Sequence, residues 1–225
     1  GSSSRAERHI ANAAKKAGVT QTIIEAKVAE DGTVTLKGTI PKDAVNPIVL
    51  VNFDNNRGAS TQDQGNYAYA VVKALQDTYG IKEMNMVAHS YGNVTIVYYM
   101  LQHGSDTSLP KLVIAGHFNG IIGIDEPENI TLDDEGKPSS MRESYQELLS
   151  LGNHYPQGQV EILNIYGNTG KGSDERVTNL SSQSLGYLLK AQVKSYQEKE
   201  ITGPNGQHSK LHETALVDKP LIAFL

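Results

Sequence analysis

The chain has 225 residues, no cysteine, seven histidines and a formal net charge of −5, which suits one domain with a sizeable buried core and shows no break arguing for two. Lysine and arginine are scattered rather than clustered, so no basic face offers itself to nucleic acid or to an anionic membrane. Without cysteine there is neither a disulfide framework nor a thiolate metal site, and no apolar run approaches the roughly 18 residues of a membrane span.

The opening "GSSSRAERHIANAAKKAG" has helical spacing from about Ser4, with Ala6, Ile10, Ala13 and Ala14 on one face and Gly18 placed to stop it. "QTIIEAKVAEDGTVTLKGTI" then alternates β-branched residues on either side of Asp31-Gly32, a dipeptide suited to the positive φ angles of a tight hairpin. "NPIVLVNFDNN" is apolar throughout, which predicts a central strand covered on both faces. From Thr61 to Tyr79 the residues Tyr67, Ala68, Val71, Val72 and Leu75 recur at helical spacing, and Gly80 closes the segment.

The rhythm repeats as strand "MNMVAH", helix "YGNVTIVYYMLQHG", strand "KLVIAGHF" and, after a helical piece, strand "VEILNIYG", with "VDKPLIAFL" as a terminal helix in which Pro220 stands near the start. Alternating strands and helices predict an α/β fold, a mostly parallel, doubly wound sheet with the hairpin as its antiparallel part. Between residues 120 and 156 this rhythm fails. That stretch holds acids, three prolines and one helix, and is a candidate cap or lid.

Chemistry concentrates at "MVAHSYGNVTIVYYM". A nucleophile elbow is a strand, a tight turn and a helix, with small residues two before and two after the serine, where side chains would collide as the strand folds under the helix. Ala88 and Gly92 hold those places around Ser90. The bend would raise the Ser90 hydroxyl above the sheet, and the backbone N–H of Tyr91, at the helix start, would be one donor of an oxyanion hole.

A serine needs a base, and the base an orienting carboxylate, which follow the nucleophile in the order acid, then histidine. Asp174 lies in the glycine-rich loop "NTGKGSDER" after a late strand, with Glu175 as the adjacent rival and a plain turn or cap aspartate as the bland alternative. In "GQHSKLHE" two histidines compete for the base: His208, able to hang over the sheet edge after "EKEITG", and His212, beside Glu213. His89 is expected to pack against the sheet, and His9, His103, His117 and His154 to be surface or cap residues. The only histidines at metal-ligand spacing are His208 and His212 with Glu213, the minor reading of that segment as a zinc site; no metal or cofactor is expected.

These residues resemble the α/β-hydrolase-fold cell-surface hydrolases of unknown function from Gram-positive bacteria, which are lipase- or esterase-like. The blocks that carry the likeness run in order along nearly the whole chain: "NPIVLVNFDNN", "MVAHSYGNVTIVYYM", "FNGIIG", "GKPSSMRESYQELLSL", "LNIYG", "SDERVTNLSSQSLGYLL", "KSYQEKEITG" and "QHSKLHE". The resemblance implies an α/β-hydrolase domain with a cap between its sixth and seventh strands, a serine triad on Ser90, Asp174 and His208, and a secreted or cell-surface location. Ala88 departs from the family's commoner glycine. The family also opens with an apolar strand and a histidine-glycine turn that helps form the oxyanion hole, and this chain begins just beyond them, with Gly1 and Ser2 resembling the tail of that turn. The expected activity is hydrolysis of a carboxylic ester, on a small-molecule or lipid-like substrate. A silent cell-surface binding protein and an acyltransferase or thioesterase are the alternatives.

Overall fold

The computed structural model describes residues 4–104, 108–114 and 116–225, with the backbone alone over 108–114. In chain order come helix α1 (Arg5–Lys16), strands β1 (Ile23–Val28), β2 (Val34–Lys37) and β3 (Ile48–Phe53), helix α2 (Thr61–Tyr79), strand β4 (Glu83–Val87) and helix α3 (Tyr91–His103). Strand β5 (Ser108–Ile114), helix α4 (Glu143–Glu147) and strand β6 (Glu161–Asn168) follow, then helices α5 (Asn179–Gln183) and α6 (Leu185–Leu189), strand β7 (Ser195–Thr202) and helix α7 (Ala215–Phe224).

The strands form two sheets, β2-β1-β3 and β4-β5-β6-β7. The second is wholly parallel, whereas in the first β1 pairs antiparallel with β2 and parallel with β3. Asp31-Gly32 turns the β1–β2 hairpin, with Gly32 at φ 87°. Strand β3 departs from its sequence expectation: it ends the three-stranded sheet, and Val51 is 39% exposed. A continuous apolar run is therefore here an edge strand, because among the described residues no strand joins β3 to β4.

Strand β6 shows what burial on both faces does to a sequence. Ile162 enters a core with Val97, Tyr99 and Met100 of α3 and Leu185 and Leu189 of α6. Its neighbours Leu163 and Ile165 point the other way, to Ile10 of α1, Ile201 of β7 and Val217 and Leu221 of α7. A third cluster packs Ala26 and Val28 of β1 under Tyr67, Val71 and Leu75 of α2. Each large apolar side chain so buried contributes about 1.5–3 kcal/mol.

Helix α2 starts at a capping box in which the Ser60 hydroxyl accepts from the Asp63 N–H and the Asp63 carboxylate accepts from the Ser60 N–H, and it stops at Gly80 with φ 67°. It lies along α3, held there by the buried bond from the Thr95 hydroxyl to Gln64 at 2.8 Å. A Cβ on Gly65 would stand only 3.0 Å from the Tyr98 backbone, so this close approach requires glycine. Pro220 falls inside α7 rather than near its start, which removes one helical hydrogen bond.

The excursion over residues 120–156 divides in two. Its second half, with Tyr145, Leu148, Leu151 and Tyr155, is built into the main core. Its first half stays near the surface, exposing Ile122 (40%) and Ile124 (72%).

Candidate active site

Between β4 and α3 the chain reverses through Ser90, whose φ of 54° and ψ of −127° are rare for a residue with a side chain. A Cβ on Gly92 would come within 3.1 Å of the Ala88 Cβ, which is the collision the small-x-serine-x-small pattern avoids. The bend is pinned from inside. Asn93 is fully buried and donates both its side-chain and main-chain N–H to the Ser90 carbonyl, each at 3.0 Å. Its own space exists because Gly116 lacks a Cβ, which would lie 2.6 Å from the Asn93 side chain.

The Ser90 hydroxyl stands 2.9 Å from Nε2 of His208, and Nδ1 of His208 stands 2.7 Å from Oδ2 of Asp174. Since a carboxylate accepts, Nδ1 carries the proton and donates it, which leaves Nε2 to accept from the serine hydroxyl. The other carboxylate oxygen of Asp174 accepts from the main-chain N–H groups of Arg176 (2.9 Å) and Val177 (2.7 Å). The His208 N–H donates to the Asp174 carbonyl at 2.9 Å. Asp174 is 5% exposed and is therefore held by its whole surroundings, not by the imidazole alone.

His208 reaches Asp174 because β6 and the turn after β7 touch backbone to backbone. A Cβ on Gly167 would lie 1.9 Å from the Gly206 carbonyl oxygen and 3.0 Å from the Asp174 Cβ. The three side chains thus come from the C-terminal ends of β4, β6 and β7, neighbours in one parallel sheet apart from the intervening β5.

The rival residues lie elsewhere. Glu175 is exposed, on a left-handed backbone at φ 78°. His212 packs its ring edge-on to His89, with centroids 4.9 Å apart, and its buried Nδ1 has no hydrogen-bond partner among the described residues. A zinc ion shared by His208 and His212 does not fit this geometry, since both ring nitrogens of His208 are engaged by Asp174 and Ser90. Among the described residues no group of three or more histidines and carboxylates is placed to hold a metal.

One histidine differs from its sequence expectation, and another has contacts the sequence did not indicate. His89 lies between His208 and His212, its ring centroid 4.9 Å from each of theirs, and its Nε2 is 2.9 Å from the His208 carbonyl oxygen. Burial, helped by the two neighbouring imidazoles, drives its pKa from 6.5 down to about 3. His117 is no surface residue: it is 6% exposed, just beyond β5, with its ring centroid 6.1 Å from that of Tyr91. Burial first, then the neighbouring His208 and Arg142, lowers its pKa from 6.5 to about 4. Position at a strand end was the only sequence signal for it, and that does not distinguish a buried histidine from an exposed one. His9 is exposed and faces Asp218 at 3.2 Å, while His103 stacks on Tyr69 near the end of α3.

Tyr91 opens α3, so its backbone N–H has no carbonyl within the helix to satisfy it and is free to point at a ligand beside Ser90. Gly1 and Ser2, the other residues tied to an oxyanion hole by resemblance, lie outside the described residues. The loop of Ile122 and Ile124 reaches this region too, since the Ile122 N–H donates to the Arg176 carbonyl, two residues past Asp174, at 2.9 Å. It thus joins a loop with two exposed isoleucines to the loop that carries Asp174.

The family described as "Alpha/beta hydrolase of unknown function (DUF915)" matches residues 1–225. A Listeria innocua protein, the product of gene lin2722, superposes with a TM-score of 0.86 at 22% identity, covering 100% of this chain and 89% of that one. A Lactobacillus plantarum WCFS1 protein, described as a candidate cell surface hydrolase, superposes with a TM-score of 0.72 at 20% identity, covering 96% and 82%. At such identities the likeness to these two structures speaks for the fold. No functionally curated protein matches the chain.

Proposed function

We propose that this chain, which belongs to the alpha/beta hydrolase family of unknown function DUF915, is a serine hydrolase that cleaves carboxylic esters through an acyl-enzyme. The observation that carries the reading is the unbroken hydrogen-bonded series from the Ser90 hydroxyl through His208 to Asp174, mounted on a strained bend at a helix start.

In this mechanism the Ser90 oxygen attacks the ester carbonyl carbon while His208 Nε2 takes the hydroxyl proton. Asp174 holds the imidazole in the tautomer that can accept, and stabilises the imidazolium once formed. The Tyr91 N–H donates to the oxyanion of the tetrahedral intermediate. Its collapse expels the alcohol, which receives the proton from His208, and leaves the acyl group on Ser90. Water then attacks, giving its proton to His208, and the acid departs with Ser90 restored. Exposed Ile122 and Ile124 beside the acid loop favour an ester with an apolar or lipid-like acyl group, and the described candidate cell surface hydrolase supports a surface or secreted setting.

Turnover of p-nitrophenyl esters tests the assignment. His208→Ala is expected to lower kcat by about 10⁴-fold or more, and His212→Ala to leave it within about threefold. The reverse order would move the base four residues along. Ester hydrolysis that survives Ser90→Ala would remove the nucleophile altogether.

A further inference from the structure

The imidazole next to the nucleophile has no part in the proton path, yet it is half-buried, contacts two other histidines and makes a directed bond. His89 Nε2 lies 2.9 Å from the main-chain carbonyl of His208, across 119 residues of sequence. A carbonyl oxygen has no proton, so His89 must donate from Nε2. We infer that His89 is a positioning residue: by donating Nε2–H to the His208 carbonyl, it fixes the loop that presents the base to Ser90.

The main chain of His208 is tied on two sides. Its N–H donates to the Asp174 carbonyl, which secures the loop to the end of β6. Its carbonyl accepts from His89, which secures the same residue to the elbow of β4. Only the second tie couples the base's backbone directly to the element carrying the nucleophile. The segment after His208 turns on itself, with the Lys210 and Leu211 N–H groups returning to the Gln207 carbonyl, and makes no described backbone bond to the elbow. Without His89, the 2.9 Å approach of His208 Nε2 to the serine would rest on the side-chain contact alone.

The groups that face His89 are His208, His212, Asp174 and, through the His89 main chain, Glu7 of α1. Burial keeps His89 neutral at ordinary pH. Neutrality with Nε2 protonated makes it a single-tautomer donor, a role a glutamine amide can copy because its nitrogen reaches about as far from the backbone as Nε2. An asparagine amide reaches only as far as Nδ1, and leucine fills the space without donating.

This inference rests on the serine-hydrolase reading, and the test separates the two. The second-order rate at which a fluorophosphonate modifies Ser90, and kcat and KM on p-nitrophenyl acetate, are measured for the wild type, His89→Gln, His89→Asn and His89→Leu, with melting temperatures alongside. His89→Leu and His89→Asn are expected to lose about tenfold to hundredfold in modification rate and kcat, with KM within about twofold, while His89→Gln recovers to within about threefold. Equal rates in glutamine and asparagine variants, or an unimpaired leucine variant, would overturn the inference. Should leucine fail to fold, the glutamine–asparagine difference still decides. Should the wild type not react, the hydrolase reading fails instead. The imidazole ¹⁵N shifts of His208 then decide: a His208–Ser90 hydrogen bond present in wild type and lost in His89→Asn supports the inference, and unchanged shifts refute it.

Discussion

At the scale of single residues, the geometry around Asp174 separates a carboxylate that aligns an imidazole from one that merely sits next to it. Asp174 is buried and spends one oxygen on two main-chain N–H groups and the other on His208, while Glu175 points to solvent. Asp174→Asn is therefore expected to cut kcat by about 10⁴-fold, because an amide in that place favours the wrong tautomer of the base. Glu175→Gln should change kcat by less than about threefold, and equal losses in steady-state assays would take Asp174 out of the mechanism. Histidine burial has a consequence for stability. Folded His89 and His117 titrate near 3 and 4, below their ordinary 6.5. As pH falls through 6.5 the unfolded chain takes up protons that the folded chain refuses, so stability is full above 6.5 and declines down to those values. Each residue then costs about 1.4 kcal/mol per pH unit. In urea unfolding, His117→Gln should lose about 1 kcal/mol less than wild type between pH 6.5 and 5.5; parallel pH curves would show that His117 is not buried neutral. The strand-like stretch before His208 favoured it over His212, but nothing in the chain's pattern foretold that His89 would stand between them, since that contact joins segments 119 residues apart.

At the scale of elements, the site depends on places where backbones touch. The elbow was readable because its collision is local: Ala88 and Gly92 are two residues either side of Ser90, and the clash they avoid follows from bond geometry. The contact of Gly167 with Gly206 was not readable, since each glycine alone looks like an ordinary strand or turn glycine. Gly167→Ala would drive a methyl against the Gly206 carbonyl and the Asp174 Cβ. The expected result is about 1–3 kcal/mol lost in chemical denaturation, together with a fall in ester turnover larger than that loss explains, because the turn carrying His208 must shift. Unchanged stability and turnover would show that β6 and the turn need not meet. Helical segments such as α2 were legible, having a repeating apolar face and a stop signal at Gly80. Strand β3 was legible as a strand but not as an edge, for an apolar run reports the preference of its side chains and not which neighbours hydrogen-bond to it.

At the scale of the whole molecule, two sheets are joined by helices and, among the described residues, by no shared ladder. Helix α2, which covers β1, lies along α3, which covers the parallel sheet, and α1 touches both β3 and α7. The parallel sheet does the chemical positioning: its successive strands end on the same side, so residues far apart in sequence arrive at one rim. Ser90, Asp174 and His208 meet there, and the account stands or falls on their reacting as a unit. The most direct measurement is the mass of the intact protein and its peptides after treatment with a fluorophosphonate. One adduct is expected, on Ser90, with none in Ser90→Ala and a rate at least about a hundredfold slower in His208→Ala. A wild-type protein that stays unmodified, or one modified at another residue, would contradict it.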